Sequence, residues 1–153
     1  MKPLCTSRIS IRIMKRLIFF FVLFIVMLCN VSAQDKDWSG DIRSFITRMY
    51  EGKLYENYDF LHEHCSAELL KKLQDAYPYD ANGVAYATWL FRSGQQDSKP
   101  ESNGKSCMVE VKNDNGDWYI YRAIDMGWEF TKRIKVFNKN GKIVISDICP
   151  VKD

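Results

Sequence analysis

Three charged residues, Arg122, Lys132 and Asp147, stand among Val, Ile, Trp and Phe in the last third of this chain. Charges in that company carry a desolvation cost unless they are paired. Two cations facing one carboxylate would make an internal ion pair, or the polar base of a pocket that meets an anionic ligand or a reacting carbonyl. A second acid, Asp125, lies in WYIYRAIDMGWEF, residues 118 to 130, with five aromatic residues around it. Ahead of Met126-Gly127 it reads as a turn residue, because a short Asp side chain hydrogen-bonds nearby backbone. His62 and His64 form a His-x-His pair. Residues two apart on a helix point about 200° from each other, so the pair is expected on a helix surface and not as metal ligands. No phosphate-binding Gly loop, nucleophile elbow or metal-spaced cysteine pair is present. No catalytic residue, metal or cofactor is assigned.

Helices must come first in the chain. Ser39 is placed to cap a helix, and Ile42, Phe45, Ile46, Met49 and Tyr50 follow at the spacing of one apolar stripe, ended by Gly52. A second helical region runs from about 57 to 76, with a break at Ser66 and Leu69, Leu70, Leu73 and Ala76 inward. Val84 to Phe91 (VAYATWLF) reads as a strand, although its alanines also suit a helix. Residues 92–105, rich in Ser, Gly, Gln, Asp and Pro, read as a mobile loop.

A strand meander closes the chain, over about 105–112, 118–124, 128–137 and 142–149. Asn115-Gly116 and Asn140-Gly141 are the strongest hairpin signals. Turn length sets register. A two-residue turn at Asn115-Gly116 pairs Val111 with Ile120 and Cys107 with Ile124. A three-residue loop, Asp125-Met126-Gly127, pairs Ile124 with Trp128 and Arg122 with Phe130. Asn140-Gly141 pairs Val136 with Ile145, Ile134 with Asp147 and Lys132 with Cys149. Trp118, Trp128 and Phe130 then line an inner face with Arg122, Lys132 and Asp147, which become diagonal neighbours about 7–8 Å apart. Tyr119 and Tyr121 turn to the opposite face, where they would meet a partner. Cys107 and Cys149 fall on well-separated strands and are not expected to form a disulfide.

The formal net charge is +3. Five of the 22 cations (Lys2, Arg8, Arg12, Lys15, Arg16), and none of the 19 acids, lie in the first 33 residues, so the rest is mildly acidic. That balance leaves no footprint for nucleic acid. Residues 1–33 read as a signal peptide. The apolar run Leu17 to Cys29 is shorter than the roughly 20 residues of a membrane span, and Val31-Ser32-Ala33 supplies small residues for cleavage between Ala33 and Gln34. The minor alternative is a lipid anchor through Cys29. The expected organisation is a signal at 1–33, a polar lead at 34–38 and one domain at 39–153, exported to the periplasm or secreted, with no membrane span in the mature protein.

The order of elements, DIRSFITRMY, then SAELLKKLQDAY, then WYIYRAIDMGWEFTKRIKVFNKNGKIVISDIC, resembles exported bacterial members of the nuclear-transport-factor-2-like (cystatin-like) superfamily. The resemblance covers roughly residues 39 to 150. It implies an α+β fold, with N-terminal helices packed on a strongly bent antiparallel sheet around a cone-shaped cavity. Some relatives are isomerases or dehydratases and others only bind, and no catalytic pair of the family maps onto this chain. The expectation is a non-catalytic binding domain, taking a small molecule in the cone or a protein partner on the sheet face, with homodimer formation open. A small isomerase- or dehydratase-type enzyme and a periplasmic immunity or inhibitor protein are the alternatives.

Overall fold

Ile42, Phe45, Ile46, Met49 and Tyr50 wind into helix α1 (Ser39–Glu51), and all five are buried. The computed structural model describes residues 39–151. The expected signal, the Ala33–Gln34 cleavage, the Cys29 alternative, the lead at 34–38 and the capping side chain of Ser39 lie outside the described residues. A 3-10 turn, Leu54–Glu56, buries Tyr55. The second helical region divides at Ser66 as expected. Helix α2 (Tyr58–His64) is capped by the Asn57 side chain, which accepts from the Phe60 N–H at 3.2 Å. Helix α3 (Ala67–Asp75) is capped by Ser66 Oγ, which accepts from the Leu69 N–H at 3.2 Å. Each cap satisfies an amide that the helix itself leaves unpaired.

Val84 to Phe91 is helix α4 and not a strand. Asp80 Oδ2 accepts from the Ala85 N–H at 2.6 Å, and Gly83 enters with φ 74. Ala87, Leu90 and Phe91 are buried at helical spacing. The start is imposed by the turn before it, and the burial by Tyr55, whose ring stacks on Phe91 at 5.9 Å.

Four strands form one antiparallel sheet in the order β1 (Cys107–Asn115), β2 (Trp118–Asp125), β3 (Trp128–Lys139), β4 (Lys142–Pro150). With the helices ahead of them the fold is α+β, as expected. The Asn140-Gly141 hairpin is as predicted, with φ 55 and 83, the type I′ pattern that matches strand twist. Val136 pairs with Ile145, and Cys107 with Ile124, also as predicted.

Other registers differ. The first turn is Gly116-Asp117, with Asn115 opposite Trp118, and irregularities within β1 bring Val111 to Tyr121. A bulge between β3 and β4 moves Ile134 to Ile148, and Lys132 pairs with Pro150. The decisive change is between β2 and β3. Their turn is the two residues Met126-Gly127, so Asp125 faces Trp128, Ala123 faces Phe130, Tyr121 faces Lys132 and Tyr119 faces Ile134. One residue of slip exchanges the faces of a strand. Tyr119 and Tyr121 therefore point into the core, at 3% and 0% exposure, and present no partner face. Trp118, Ile120, Arg122 and Ile124 turn outward.

The core lies between the helices and the Tyr119–Tyr121 face of the sheet, with Met49, Leu61, Leu73, Phe91, Ile134 and Ile145 among its members. The buried Tyr121 hydroxyl donates to the Phe91 carbonyl at 2.8 Å, tying β2 to the end of α4. Cys107 and Cys149 sit on the two outer strands and are free thiols, as is Cys65. Burial pushes the Cys65 thiol up to about 12.

Candidate functional site

The sheet disperses the predicted charged trio. Arg122, on the outer face, donates to Glu129 Oε1 at 2.9 Å, and both side chains are about half exposed. Asp147 meets Lys72 of α3 at 3.4 Å, again at the surface. Lys132 alone of the three remains on the inner face. It is 8% exposed, and no carboxylate pairs with it among the described residues. Its Nζ lies 5.9 Å from the centre of the Trp89 ring. Burial lowers its pKa from the ordinary lysine value.

The predicted aromatic lining is redistributed too. Phe130 packs against the core beside Tyr50 and Tyr121. Trp118 lies outward under the Arg133 guanidinium, 4.4 Å from its ring centre. Trp128 is 37% exposed at the hairpin end, donating from Nε1 to the Asp97 carbonyl at 3.0 Å. His62 and His64 lie on α2 as expected. His64 Nδ1 is 2.9 Å from the Ile143 carbonyl oxygen, and His62 stands beside Tyr58.

The built polar centre forms around Asp125, the residue the sequence assigns to a turn. At 2% exposure Asp125 is a buried acid. Its Oδ1 accepts from Arg92 Nη2 at 2.8 Å and Nε at 3.1 Å. Its Oδ2 accepts from the Ser93 hydroxyl at 2.6 Å, from the Ser93 N–H at 3.3 Å and from Arg92 Nε at 3.2 Å. Burial alone would raise this carboxyl's pKa. The hydrogen bonds and charge of Arg92, with those of Ser93, outweigh it and hold the group below the usual carboxylate range. Arg92 is raised in return, chiefly by the Asp125 hydrogen bond.

Three segments position this pair. Helix α4 ends at Phe91 and delivers Arg92 and Ser93. The end of β2 delivers Asp125. Residues 92–106 clamp the β2–β3 turn from outside: the Lys99 N–H donates to the Met126 carbonyl at 2.8 Å, the Met126 N–H to Ser106 Oγ at 2.9 Å, and the Gly127 N–H to the Lys105 carbonyl at 2.8 Å. Those bonds hold Met126 at φ 48, a conformation most residues avoid. A side chain on Gly127, at φ +87, would run into Ser102. The segment read as a mobile loop is a fitted strap.

Beside the pair lies a cleft of about 380 Å³, lined by Tyr50, Lys53, Tyr55, Arg92, Ser106 and Asp125 among others. The Tyr50 hydroxyl donates to the Ile124 carbonyl at 2.8 Å. Burial and the Asp125 charge raise the Tyr50 phenol well above its ordinary value, and burial pushes Tyr55 up to about 12. Both stay neutral hydroxyls near pH 7. Arg92 Nη1, the Tyr55 hydroxyl and the Lys53 amine have no partner among the described residues, so the cleft presents several donors to a ligand, with the Glu51 carboxylate as an acceptor beside them. Its acid stays ionised with both oxygens occupied, which suits orienting Arg92 and does not suit proton transfer. Among the described residues no group of three or more His, Cys, Asp or Glu side chains is placed to hold a metal ion, and no helix is long and apolar enough to cross a membrane.

Sequence reasoning missed Arg92, Ser93, Tyr50 and Tyr55 as site residues. The available signal was an Arg-Ser pair directly after an apolar run, with an unpaired Asp between two aromatic strands. Nothing local joins residues 33 apart.

No family model matches the chain, and no curated protein matches it. A solved structure, a protein of unknown function from Bacteroides thetaiotaomicron VPI-5482, is similar at 18% identity with a TM-score of 0.43, over 73% of this chain and 94% of that one.

Proposed function

We propose that this chain is an exported, non-catalytic binding domain of the nuclear-transport-factor-2-like type, holding a small polar ligand in the cleft beside Arg92 and Asp125. The observation that carries this reading is the saturation of Asp125. A catalytic acid or base needs a free lone pair or a proton near its working pH, and here both oxygens accept from Arg92 and Ser93. The same bonds leave Arg92 Nη1 oriented and unspent, the arrangement of a fixed donor for a ligand carbonyl or hydroxyl. Support for the superfamily is the order of elements, helices before a four-stranded meander, and the register irregularities in β1 and between β3 and β4. Bulges bend strands and increase twist, as a cone-shaped sheet requires.

Ligand capture tests the binding reading. Small molecules released by heat from protein purified from its own envelope are compared with those from Ser98→Trp, which fills the cleft from the exposed strap. A compound present in the parent, absent from the variant and able to raise the parent's melting temperature is the expected result. Identical extracts with no stabilising compound would overturn it. N-terminal sequencing tests export: the chain should start at Gln34, and an acylated Cys29 would replace free export with a lipid anchor.

A further inference from the structure

A second cleft, of about 280 Å³, lies against Arg92 and Met126 and is lined by Thr88, Trp89, Gly94, Gln95 and Gln96. We propose that it binds one pyranose ring of an oligosaccharide, stacked on the indole of Trp89. The inference is independent of the polar cleft reading, with which it shares Arg92 and Met126.

Trp89 is 54% exposed on α4, an unusual position for so large an apolar surface. The ring is held in place. Tyr86, one turn earlier, lies near-parallel to it at 24° with centroids 5.6 Å apart, and the buried Lys132 ammonium approaches to 5.9 Å. With both contacts made, Trp89 is still 54% exposed, so about half of its surface stays open to a ligand. The Gly94 backbone passes close to the indole edge, where an added Cβ would stand 3.1 Å from Nε1. That Nε1–H has no acceptor among the described residues, and the side-chain amides of Gln95 and Gln96 have no partner there either. A flat aromatic surface bordered by neutral donors and acceptors fits a molecule with C–H groups on its face and hydroxyls on its rim.

Other occupants fit less well. Arg92 is the one charged side chain lining this cleft and the Lys132 ammonium already stands at the ring, so a cationic or quaternary ammonium ligand meets repulsion that no acid in the lining offsets. Asp125 already neutralises that Arg92, so a polyanion gains little. A proline-rich peptide needs a gap between aromatic rings, and the Tyr86–Trp89 stack is closed. The cleft lies just below the roughly 300–1,000 Å³ of drug-sized sites, enough for one ring with its neighbours leaving over the surface.

The test is a titration of the 15N-labelled protein with maltohexaose, cellohexaose and xylohexaose at millimolar concentration. The readout is the indole N–H signal of Trp89, assigned by its disappearance in Trp89→Phe. At least one sugar should shift that signal. Affinity in the variants is read from the backbone amide of Gly94, which lies beside the ring: Trp89→Ala should weaken the same sugar about tenfold or more, and Gln95→Ala with Gln96→Ala, both in an exposed segment, should weaken it several-fold without disturbing the fold. The proposal is overturned if none of the three sugars moves the Trp89 signal, or if binding survives both sets of substitutions undiminished.

Discussion

Two acids on the same sheet, Asp125 and Asp147, have opposite fates. Asp125, the last residue of β2, is buried and takes hydrogen bonds from Arg92 and Ser93. Asp147, on β4, is half exposed and meets Lys72 at 3.4 Å. Each has a cation partner, so the pairing itself does not distinguish them. Accessibility does. A buried acid must be satisfied completely or the fold suffers, whereas water satisfies a surface acid with or without its partner. The complete set of donors around Asp125 makes it the better guide to a constructed site.

Asp125→Ala should break the comparison most sharply. It leaves Arg92, itself only 23% exposed, beside a void, and should cost about 3 kcal/mol in chemical denaturation, somewhat reduced from a fully buried pair because Arg92 still touches water. A loss below about 1 kcal/mol would show that the pair is ornamental, with Asp125 no more important than Asp147.

The pH dependence gives a second, smaller contrast. Asp125 has its folded pKa depressed, so its stabilisation is present above the unfolded value near 3.8 and disappears as pH falls through the folded value. The stability difference between parent and Asp125→Asn should therefore be constant from pH 5 to 7 by denaturant titration, and shrink below about pH 4. A difference that varied between pH 5 and 7 instead would assign the carboxyl a raised pKa and remove the main argument against proton transfer.

Lys132→Met tests the charge that has no acid. Replacing a buried, unpaired ammonium by an apolar side chain of similar length should stabilise by about 1 kcal/mol near neutral pH, the relief of desolvation less the lost contact with Trp89. Because the folded pKa is lowered, the unfolded chain binds more protons between that value and 10.5, and parent stability rises with pH there. The advantage of Met should shrink in that window. Strong destabilisation at pH 7 would mean that Lys132 is paired in solution.

Asp147→Ala and Arg122→Met should have the smallest effects, each within about 0.5 kcal/mol by thermal melts, since their partners stand in water. Losses as large as that of Asp125→Ala would restore the inner-face trio that the register disperses.

The helices before a sheet, the α1 stripe, the break at Ser66 and the Asn140-Gly141 hairpin were legible in the sequence because each depends on residues within a few positions of one another. Caps, helical spacing and type I′ turns are local physics. The strand expected at 84–91 failed because a low-contrast apolar run takes its form from Gly83, the Asp80 cap and the surface that buries it. The site depended on the tertiary structure in a different way. Whether the β2–β3 connection has two or three residues decides which face every later side chain takes, and local chemistry allows both. The choice rests with the Arg92–Asp125 pair, the strap at 92–106 that holds Met126 at positive φ, and the core that admits Tyr119 and Tyr121. These contacts span 20 residues or more. A one-residue slip costs little locally and reverses a whole strand, so only the assembled molecule could determine which acid was buried and which charges stood apart.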